Sequence, residues 1–190
     1  MSYFNESNTV EEMLVNAAAE QGWIYVEPSQ VPRISDDILV GEWLMRALIE
    51  LNDITPEQAE QVIYKLRACI LSCNDIDNLV TANDQFRRLL FEENSYSFGP
   101  DGDNINIRFF SDDMSKNRCI VTNQWEFPRP SHQGGKRLDL VYIINGIPMV
   151  IGEAKTPVRP DVTWADGATD ILHYERSIPQ MFVPNILTFA

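Results

Sequence analysis

The sequence is poor in positive charge. Its 190 residues include 15 Lys and Arg against 28 Asp and Glu, which gives a formal net charge of −13. A protein that binds nucleic acid by itself draws much of its affinity from basic side chains on phosphates. If this chain acts on DNA, another domain or subunit must therefore hold the DNA.

Thiols and imidazoles are also scarce. The chain has two histidines, His132 and His173, and three cysteines, Cys69, Cys73 and Cys119. Neither histidine lies near the cysteines in sequence, so the spacing of a zinc site is missing. The odd count and the helical context of the first two cysteines favour reduced, buried thiols over disulfides.

Long apolar runs and a secretory leader are absent as well. No apolar stretch approaches the roughly 18 to 20 residues of a membrane span. Residues 1–6 have neither the basic nor the apolar region of a signal sequence. We therefore expect a cytoplasmic protein without membrane contact, and its 44% hydrophobic content is enough for the core of one domain.

The first half of the chain has mainly helical patterning. Apolar spacing predicts helices over residues 8–21, 35–51, 55–73 and 77–92. Gly22 is expected to end the first helix and Ser35 to cap the second. Thr55 followed by Pro56 and Gln58 is the pattern of a capped helix start.

The pattern of the second half of the chain predicts mainly strands. Strands are predicted at residues 23–26, 105–109, 119–127, 137–155 as a hairpin, and 181–183, with a last helix at 164–176. Asn145-Gly146 marks the hairpin turn. The mixture predicts an α/β fold, and the abrupt end at Phe189-Ala190 suggests a cut through a longer protein.

Three charged residues interrupt the apolar hairpin strands, namely Asp139, Glu153 and Lys155. Burying them is costly unless they pair or bind a metal. Glu153 and Lys155 share a strand face. With a two-residue turn Asp139 falls opposite Gly152, on the wrong face, so convergence requires either a three-residue turn or a bulge in one strand.

If the three residues converge, their chemistry is coherent. Asp139, Glu153 and the Ala154 carbonyl offer hard oxygen ligands for Mg²⁺. Lys155 can orient or deprotonate a water molecule and offset phosphate charge. Gly152 and Ala154 would leave the other face flat for close helix packing. The alternative is a buried salt bridge without catalysis, because a bare D…E-x-K pattern is common.

The same residues resemble a known family. Residues 145–155 are similar to the "NGLPLV-x-x-E-x-K" stretch of type I restriction R subunits, and residues 137–139 resemble the "R-x-D" that precedes it. The order of Glu11, Gly22-Trp23 and the "IPQMFV" of residues 178–183 also fits. The hairpin and its carboxylate spacing are those of PD-(D/E)xK nucleases.

The resemblance implies a metal-dependent DNA-cleaving site. Asp139 and Glu153 would be ligands of Mg²⁺, for which Mn²⁺ is the expected substitute, and the Ala154 carbonyl would complete the protein donors. Lys155 would be the catalytic lysine and Glu11 an accessory acid near the metal. For Glu11 the alternative is a solvated helix residue.

A further family motif, Q-x-x-x-Y, is only half matched. Tyr174 fits, but Asp170 replaces the Gln, and it is either another acid at the site or, as we slightly prefer, a helix surface residue. His173 either faces the DNA path or is a partly buried helix residue. Lys136 and Arg137 are candidates for phosphate contact, although basic residues at a strand start are usually only solvated.

The resemblance also implies a fold and partners. We expect residues 1–190 to form a single nuclease domain of restriction-endonuclease-like α/β fold, with a mixed central sheet flanked by helices. An ATP-driven helicase-like motor would follow, and modification and specificity subunits would join it on double-stranded DNA. The motor would grip the DNA, which explains the deficit of positive charge. The alternatives are a stand-alone PD-(D/E)xK repair nuclease and a catalytically silent docking module.

Overall fold

The computed structural model describes residues 6–34, 36–99, 102, 104–127, 136–155 and 162–190. Its α-helices are α1 (Glu6–Glu20), α2 (Gly41–Asn52), α3 (Pro56–Leu71), α4 (Leu79–Phe91) and α5 (Trp164–Ser177). Its strands are β1 (Ile24–Tyr25), β2 (Ser95–Ser97), β3 (Asn104–Asn106), β4 (Cys119–Phe127), β5 (Lys136–Ile144), β6 (Ile147–Gly152) and β7 (Leu187–Phe189).

The central sheet is mixed. Its five strands lie in the order β1-β4-β5-β6-β7, and β2 pairs with β3 in a separate antiparallel sheet. Strand β5 is antiparallel to both β4 and β6, whereas the outer strands β1 and β7 run parallel to β4 and β6 respectively. The predicted α/β class with a mixed sheet is therefore confirmed for the described residues.

Helices cover both faces of this sheet. Neighbouring residues of a strand point to opposite faces, and Ile120 and Val121 accordingly belong to different apolar clusters. Val121 packs in the cluster of α1, with Val15 and Ala18, whereas Ile120 joins the larger cluster that contains the buried faces of α2, α3 and α4. Ile171 of α5 belongs to this larger cluster as well.

The start of α3 confirms the capping pattern in the sequence. The Gln58 N–H donates to Thr55 Oγ1 at 3.3 Å, and the Thr55 N–H donates to Gln58 Oε1 at 2.9 Å. Pro56 occupies the first turn, where its missing N–H leaves no hydrogen bond unmade. The helix then ends at Leu71, two residues before the predicted boundary.

The predicted start of the second helix is wrong. Helix α2 begins at Gly41 after Val40, without a side-chain cap, and Ser35 lies outside the described residues. The acidic Asp37 belongs to the preceding loop instead, where its side chain accepts from the Leu39 N–H and pairs with Arg67. These contacts satisfy the carboxylate of Asp37 in a loop conformation. The pattern of apolar residues in the sequence does not reveal these contacts.

Two strand predictions also need correction. Residues 179–182 form a 3₁₀ helix, so the predicted strand at 181–183 is wrong, and the strand follows later as β7. The Asn83 side chain donates to the carbonyls of Val183 and Asn185 at 2.8 Å each, which holds this segment as a turn. Strand β3 is shorter than predicted because Arg108 leaves the ladder and hydrogen-bonds Asn52.

The hairpin turn is a two-residue turn, as Asn145-Gly146 predicts. Both residues have positive φ, 51° and 87°, the conformation that Asn-Gly adopts most readily. A Cβ on Gly146 would come within 2.6 Å of the Leu44 nitrogen and the Val40 oxygen. Asn145 is 1% exposed and accepts from the Arg118 N–H at 2.7 Å, so the turn is packed into the core.

The cysteines are free thiols, as predicted, and two of them are buried. Burial raises the pKa of the Cys69 thiol to about 11, which makes it inert at neutral pH. Cys119 is only partly buried, which corrects the prediction for this residue. None of the described helices is long and apolar enough to cross a membrane.

Candidate metal centre

A β-bulge in the hairpin decides where Asp139 lies. Near the turn, Ile144 pairs with Ile147 and Ile143 with Pro148, but the next pair is Tyr142 with Val150, so Met149 is an extra residue in β6. The ladder continues to the pair of Leu140 with Gly152. This register puts Asp139 in line with Glu153, which is the bulge alternative stated from the sequence.

Local chemistry explains the position of the bulge. Pro148 has no N–H to donate to β5, and prolines within sheets are confined to edges, strand starts and bulges. The carbonyl of the extra residue, Met149, is satisfied by the neighbouring segment, since it accepts from the Ile186 N–H at 2.8 Å. The bulge therefore leaves no buried carbonyl without a partner at this residue.

The two hairpin acids meet at the end of β6. Asp139 Oδ2 accepts from the Ala154 N–H at 2.9 Å, and the Glu153 N–H donates to the Phe189 carbonyl at 2.9 Å. Glu153 is 5% exposed, and its Oε1 accepts from Lys155 Nζ at 2.8 Å. Its other oxygen, Oε2, is buried and has no hydrogen-bond partner among the described residues.

Helix α5 closes the site from one side. A Cβ on Gly167 would come within 3.3 Å of Lys155 Cγ and 3.6 Å of Glu153 Cγ, so the glycine allows the helix to approach. One turn later, Asp170 Oδ2 accepts from Lys155 Nζ at 2.6 Å, with 40% of the Asp170 side chain exposed. Asp170 thus contacts Lys155 while it stays partly exposed on the helix surface, and a role for it at the site remains a prediction.

Burial and charge perturb the site acids. Burial raises the pKa of Glu153 to about 7, the charge of Asp139 adds to this rise, and the hydrogen bond from Lys155 opposes it. For Lys155 burial lowers the pKa, but the hydrogen bonds to Asp170 and Glu153 outweigh burial and raise it above its usual value. Lys155 is therefore held in its protonated form.

Glu11 of α1 lies in the same acidic cluster. It is 2% exposed, so the solvated alternative stated from the sequence is wrong. Asn123 of β4 donates to its Oε2 at 3.3 Å. Burial and the charge of Asp139 raise the pKa of Glu11, while the amides of Asn123 and Gln124 and the charge of Arg137 lower it.

The remaining candidates lie around this cluster. Tyr174 of α5 is half-buried, and burial together with the charges of Glu153 and other site acids raises the pKa of its hydroxyl. Lys136 Nζ lies 5.4 Å from the centre of the Tyr174 ring. Arg137 and His173 are both exposed, so His173 is not the partly buried helix residue of our alternative.

The hairpin face at Gly152 was predicted to pack closely against a helix, but it packs against a different element. A Cβ on Gly152 would come within 2.3 Å of the Phe189 ring. The residue that requires glycine here is thus an aromatic side chain of the adjacent strand β7, not a helix. Phe189 packs in turn against the cluster of α1.

Sequence reasoning missed three contributors to the site. Asn123 donates to Glu11, and the amide of Gln124 also lowers the pKa of Glu11; their only signal was a pair of adjacent amides in strand β4. Gly167 lies within the predicted helix of residues 164–176, and nothing in a single sequence distinguishes a glycine needed for close approach from a tolerated one.

The donor set fits a hard divalent cation. Two carboxylates and a backbone carbonyl are oxygen ligands of the kind that Mg²⁺ takes, with water in its other positions. The orphaned Glu153 Oε2 is a buried acceptor that lacks a donor. Among the described residues no group of three His, Cys, Asp or Glu side chains is close enough to hold a metal by itself. A cation at this position would need donors beyond these side chains, such as a backbone carbonyl and water molecules.

Comparisons with known proteins place the chain in a family. The chain is 27% identical over 191 residues to the type I restriction enzyme HindI endonuclease subunit of Haemophilus influenzae, covering 94% of this chain and 17% of that protein. It is 26% identical to a Methanocaldococcus jannaschii protein provisionally named the type I restriction enzyme MjaIXP endonuclease subunit, with coverages of 94% and 18%. The chain thus spans less than a fifth of these curated relatives. The family model described as "Type I restriction enzyme R protein N terminus" matches residues 3–190, and the chain belongs to this family.

Proposed function

We propose that this chain is a Mg²⁺-dependent endonuclease domain that hydrolyses DNA phosphodiester bonds within an ATP-driven type I restriction complex. Its fold would then be the restriction-endonuclease-like fold of PD-(D/E)xK nucleases. The observation that carries the proposal is the bulge at Met149, because it brings Asp139 into line with Glu153. Family membership favours the restriction role over a stand-alone repair nuclease.

The carboxylates are the proposed ligands. Asp139, Glu153 and the Ala154 carbonyl would hold the cation, with Glu11 as an accessory acid. When bound, such a cation lowers the pKa of a water molecule and offsets charge on the scissile phosphate. The unpartnered Glu153 Oε2 supports this proposal, since a buried anionic oxygen without a donor is costly unless something positive approaches it.

Lys155 is proposed to act as a fixed positive charge. From the sequence it was equally able to orient a water molecule or to deprotonate it. Its hydrogen bonds to Glu153 and Asp170 raise its pKa, and a protonated amine cannot accept a proton. We therefore assign it to orienting the water and to offsetting phosphate charge in the transition state.

The rest of the complex supplies what this chain lacks. With a net charge of −13 the chain offers little attraction to a phosphate backbone. In the proposal a motor domain, with ATP as its cofactor, grips double-stranded DNA and delivers it to the metal centre. The modification and specificity subunits choose the recognition sequence.

Plasmid cleavage by the complete complex tests this function. We expect Asp139→Asn, Glu153→Gln and Lys155→Ala each to lower the cleavage rate at least about 100-fold, because each removes a ligand or the fixed charge. DNA-stimulated ATP hydrolysis should remain, since the motor is untouched. Glu60→Gln is the matched control, because Glu60 is an exposed carboxylate on α3 away from the site.

The same assay separates the alternatives. If the three site variants cut like wild type while ATP hydrolysis is intact, the chain is a catalytically silent docking module. Cleavage without ATP by the chain alone, at the rate of the complex, would favour a stand-alone nuclease.

A further inference from the structure

Four large apolar side chains are exposed together on one side of the molecule. They are Val80 and Phe91 of α4, Ile186, and Leu187 of β7, with exposed fractions from 55% for Phe91 to 79% for Val80. They line two adjoining hollows of about 420 and 240 Å³ that share Ile186. Single exposed apolar residues need no explanation, whereas a contiguous apolar patch marks a place where another molecule or domain binds. These four side chains form the α4–β7 surface.

The segment that contains β7 is uncharged. Residues 178–190 contain no Asp, Glu, Lys or Arg, although 23% of the residues in the chain are charged. Strand β7 lies at the edge of the central sheet formed by the described strands. Proteins usually protect such an edge with a charge, a proline or a bulge, because its unpaired N–H and C=O groups invite pairing. Leu187–Phe189 has none of the three, which is expected of an edge that another element covers.

DNA does not suit this surface. Of the described residues that line the two hollows, Arg87 is the only basic one, and it pairs with Asp84 at 3.2 Å and with Glu92 at 2.8 Å. Glu175 lines the larger hollow and would repel a phosphate. Binding to a nucleic-acid backbone draws on basic side chains, whereas the centre of a protein interface is depleted of charge. The chemistry of the surface therefore favours an apolar segment of protein.

The surface is held in one shape by a side chain of α4. Asn83 Nδ2 donates to the carbonyls of Val183 and Asn185 at 2.8 Å each, and Asn185 Nδ2 donates to the Leu187 carbonyl at 2.9 Å. These hydrogen bonds fix the segment before β7 against the helix. A surface that is ordered before binding loses less entropy when a partner docks.

The length of the relatives indicates the partner. The family model describes the N terminus of an R protein, and the matched stretch makes up 17% and 18% of the two curated relatives. More than four-fifths of each relative therefore lies outside that stretch. In the proposed complex this remainder includes the motor domain, joined to the same polypeptide beyond β7. A domain tethered beside the surface has an effective concentration of about millimolar, an advantage that a second copy or a separate subunit lacks.

We propose that the α4–β7 surface docks the motor domain of the same polypeptide. The identity of the partner rests on the proposed function, but the covering of the surface does not depend on catalysis. Leu187 pairs with Val150 of β6, and the Phe189 carbonyl accepts from the Glu153 N–H at 2.9 Å. The docked domain would thus lie one strand away from the candidate metal centre.

Hydroxyl-radical footprinting read by mass spectrometry tests the docking. The complete R subunit, without the other subunits, is compared with the 190-residue chain. We expect oxidation of Phe91, Ile186 and Leu187 to be at least about fivefold slower in the complete subunit, because the centre of an interface excludes water. Tyr64 and Leu71 of α3 are the matched controls, since they are 73% and 68% exposed, and their oxidation should change by less than about twofold.

Three results would overturn the proposal. The first is equal oxidation of the α4–β7 surface in the two proteins. The second is protection that appears in the isolated chain as its concentration rises, since a second copy would then be the occupant. The third is protection that requires the modification and specificity subunits, because the occupant would then lie in another polypeptide.

Leu187→Lys in the complete subunit tests whether the surface itself makes the contact. A charge on an edge strand opposes docking, so oxidation of Phe91 and Ile186 should return to within about twofold of the rate in the isolated chain. Leu71→Lys is the matched control and should leave the protection unchanged, because Leu71 is exposed on α3, away from the surface. Full protection of the surface in the folded Leu187→Lys variant would contradict the proposal.

Urea unfolding of the isolated chain shows whether this variant is folded. The unfolding constant of Leu187→Lys should stay within about threefold of the wild-type value, as for other surface substitutions. If it does not, Val80→Lys takes its place, since Val80 is the more exposed of the two and lies on a helix.

Footprinting requires neither a cation nor cleavage, so this test is independent of the metal centre. Protection of the surface in a complex whose Asp139→Asn variant cuts DNA like wild type would contradict the proposed function and support the docking. Loss of cleavage in that variant, without protection of the surface in the complete subunit, would support the proposed function and overturn the docking.

Discussion

Glu153 is the residue at which burial and charge conflict most. Its pKa of about 7, against a usual value of 4.5, means that the folded protein binds a proton that the unfolded chain releases. A carboxyl with a raised folded pKa contributes stability that is complete below its unfolded pKa and disappears as pH rises through its folded pKa. A bound cation would replace that proton.

We predict that the metal-free chain loses stability between pH 5.5 and pH 8. The contribution of Glu153 to this loss is about 2 kcal/mol. Glu153→Gln should remove this part of the slope and leave the part that comes from the other acids with raised pKa, Glu11 and Glu175. The measurement is urea unfolding across this pH range with EDTA. Equal slopes for wild type and variant would contradict the account of Glu153.

At the scale of elements, the hairpin turn and the bulge together determine which residues of β5 and β6 lie opposite each other at the candidate site. The turn fixes which residues begin the ladder, and the extra residue Met149 then moves Asp139 onto the face of Glu153. The turn is fixed in space because Gly146 packs against α2, with the Val40 N–H donating to its carbonyl at 2.8 Å.

We predict that Gly146→Ala destabilises the chain far more than Gly22→Ala. Both glycines have left-handed backbone, with φ of 87° and 90°, but a Cβ on Gly22 would meet nothing within 4 Å. Gly22→Ala should then cost about 1 kcal/mol from backbone strain alone. Gly146→Ala adds a clash with the backbone of α2 and should cost about 3 kcal/mol or more. Equal losses in the free energy of unfolding for the two variants, measured with urea, would show that the turn does not pack closely against helix α2.

Elements with local signals were predictable from the sequence. The capping box at Thr55 and the Asn145-Gly146 turn depend on residues within a few positions of one another, and both are observed. The convergence of Asp139 with Glu153 was stated as a requirement, with a three-residue turn and a bulge as the alternatives. The local sequence does not distinguish them, because the bulge depends on a contact of Met149 with the distant residue Ile186.

Elements that depend on distant contacts were not predictable. Residues 181–183 are apolar enough for a strand, but hydrogen bonds from Asn83, about a hundred residues away, to Val183 and Asn185 hold this segment as a turn. The burial of Glu11 likewise depends on Asn123, 112 positions later. Neither partner has a pattern in the local sequence that would identify it.

At the scale of the whole molecule, charge is the dominant feature. We predict that the chain alone binds DNA weakly, with a Kd above about 100 µM at physiological salt, as for non-specific binding without a basic surface. Fluorescence anisotropy with a labelled duplex measures this affinity. Binding in the nanomolar range would contradict the proposal that another part of the complex grips the DNA.

The central claim is that Asp139, Glu153 and the Ala154 carbonyl hold a divalent cation. The most direct measurement is X-ray diffraction from crystals of the chain soaked in Mn²⁺, with data collected at the manganese absorption edge. The account predicts an anomalous peak within coordination distance, about 2.0 to 2.4 Å, of oxygens from Asp139 and Glu153. A soak that places Mn²⁺ elsewhere in the molecule and leaves this position without a peak would contradict it.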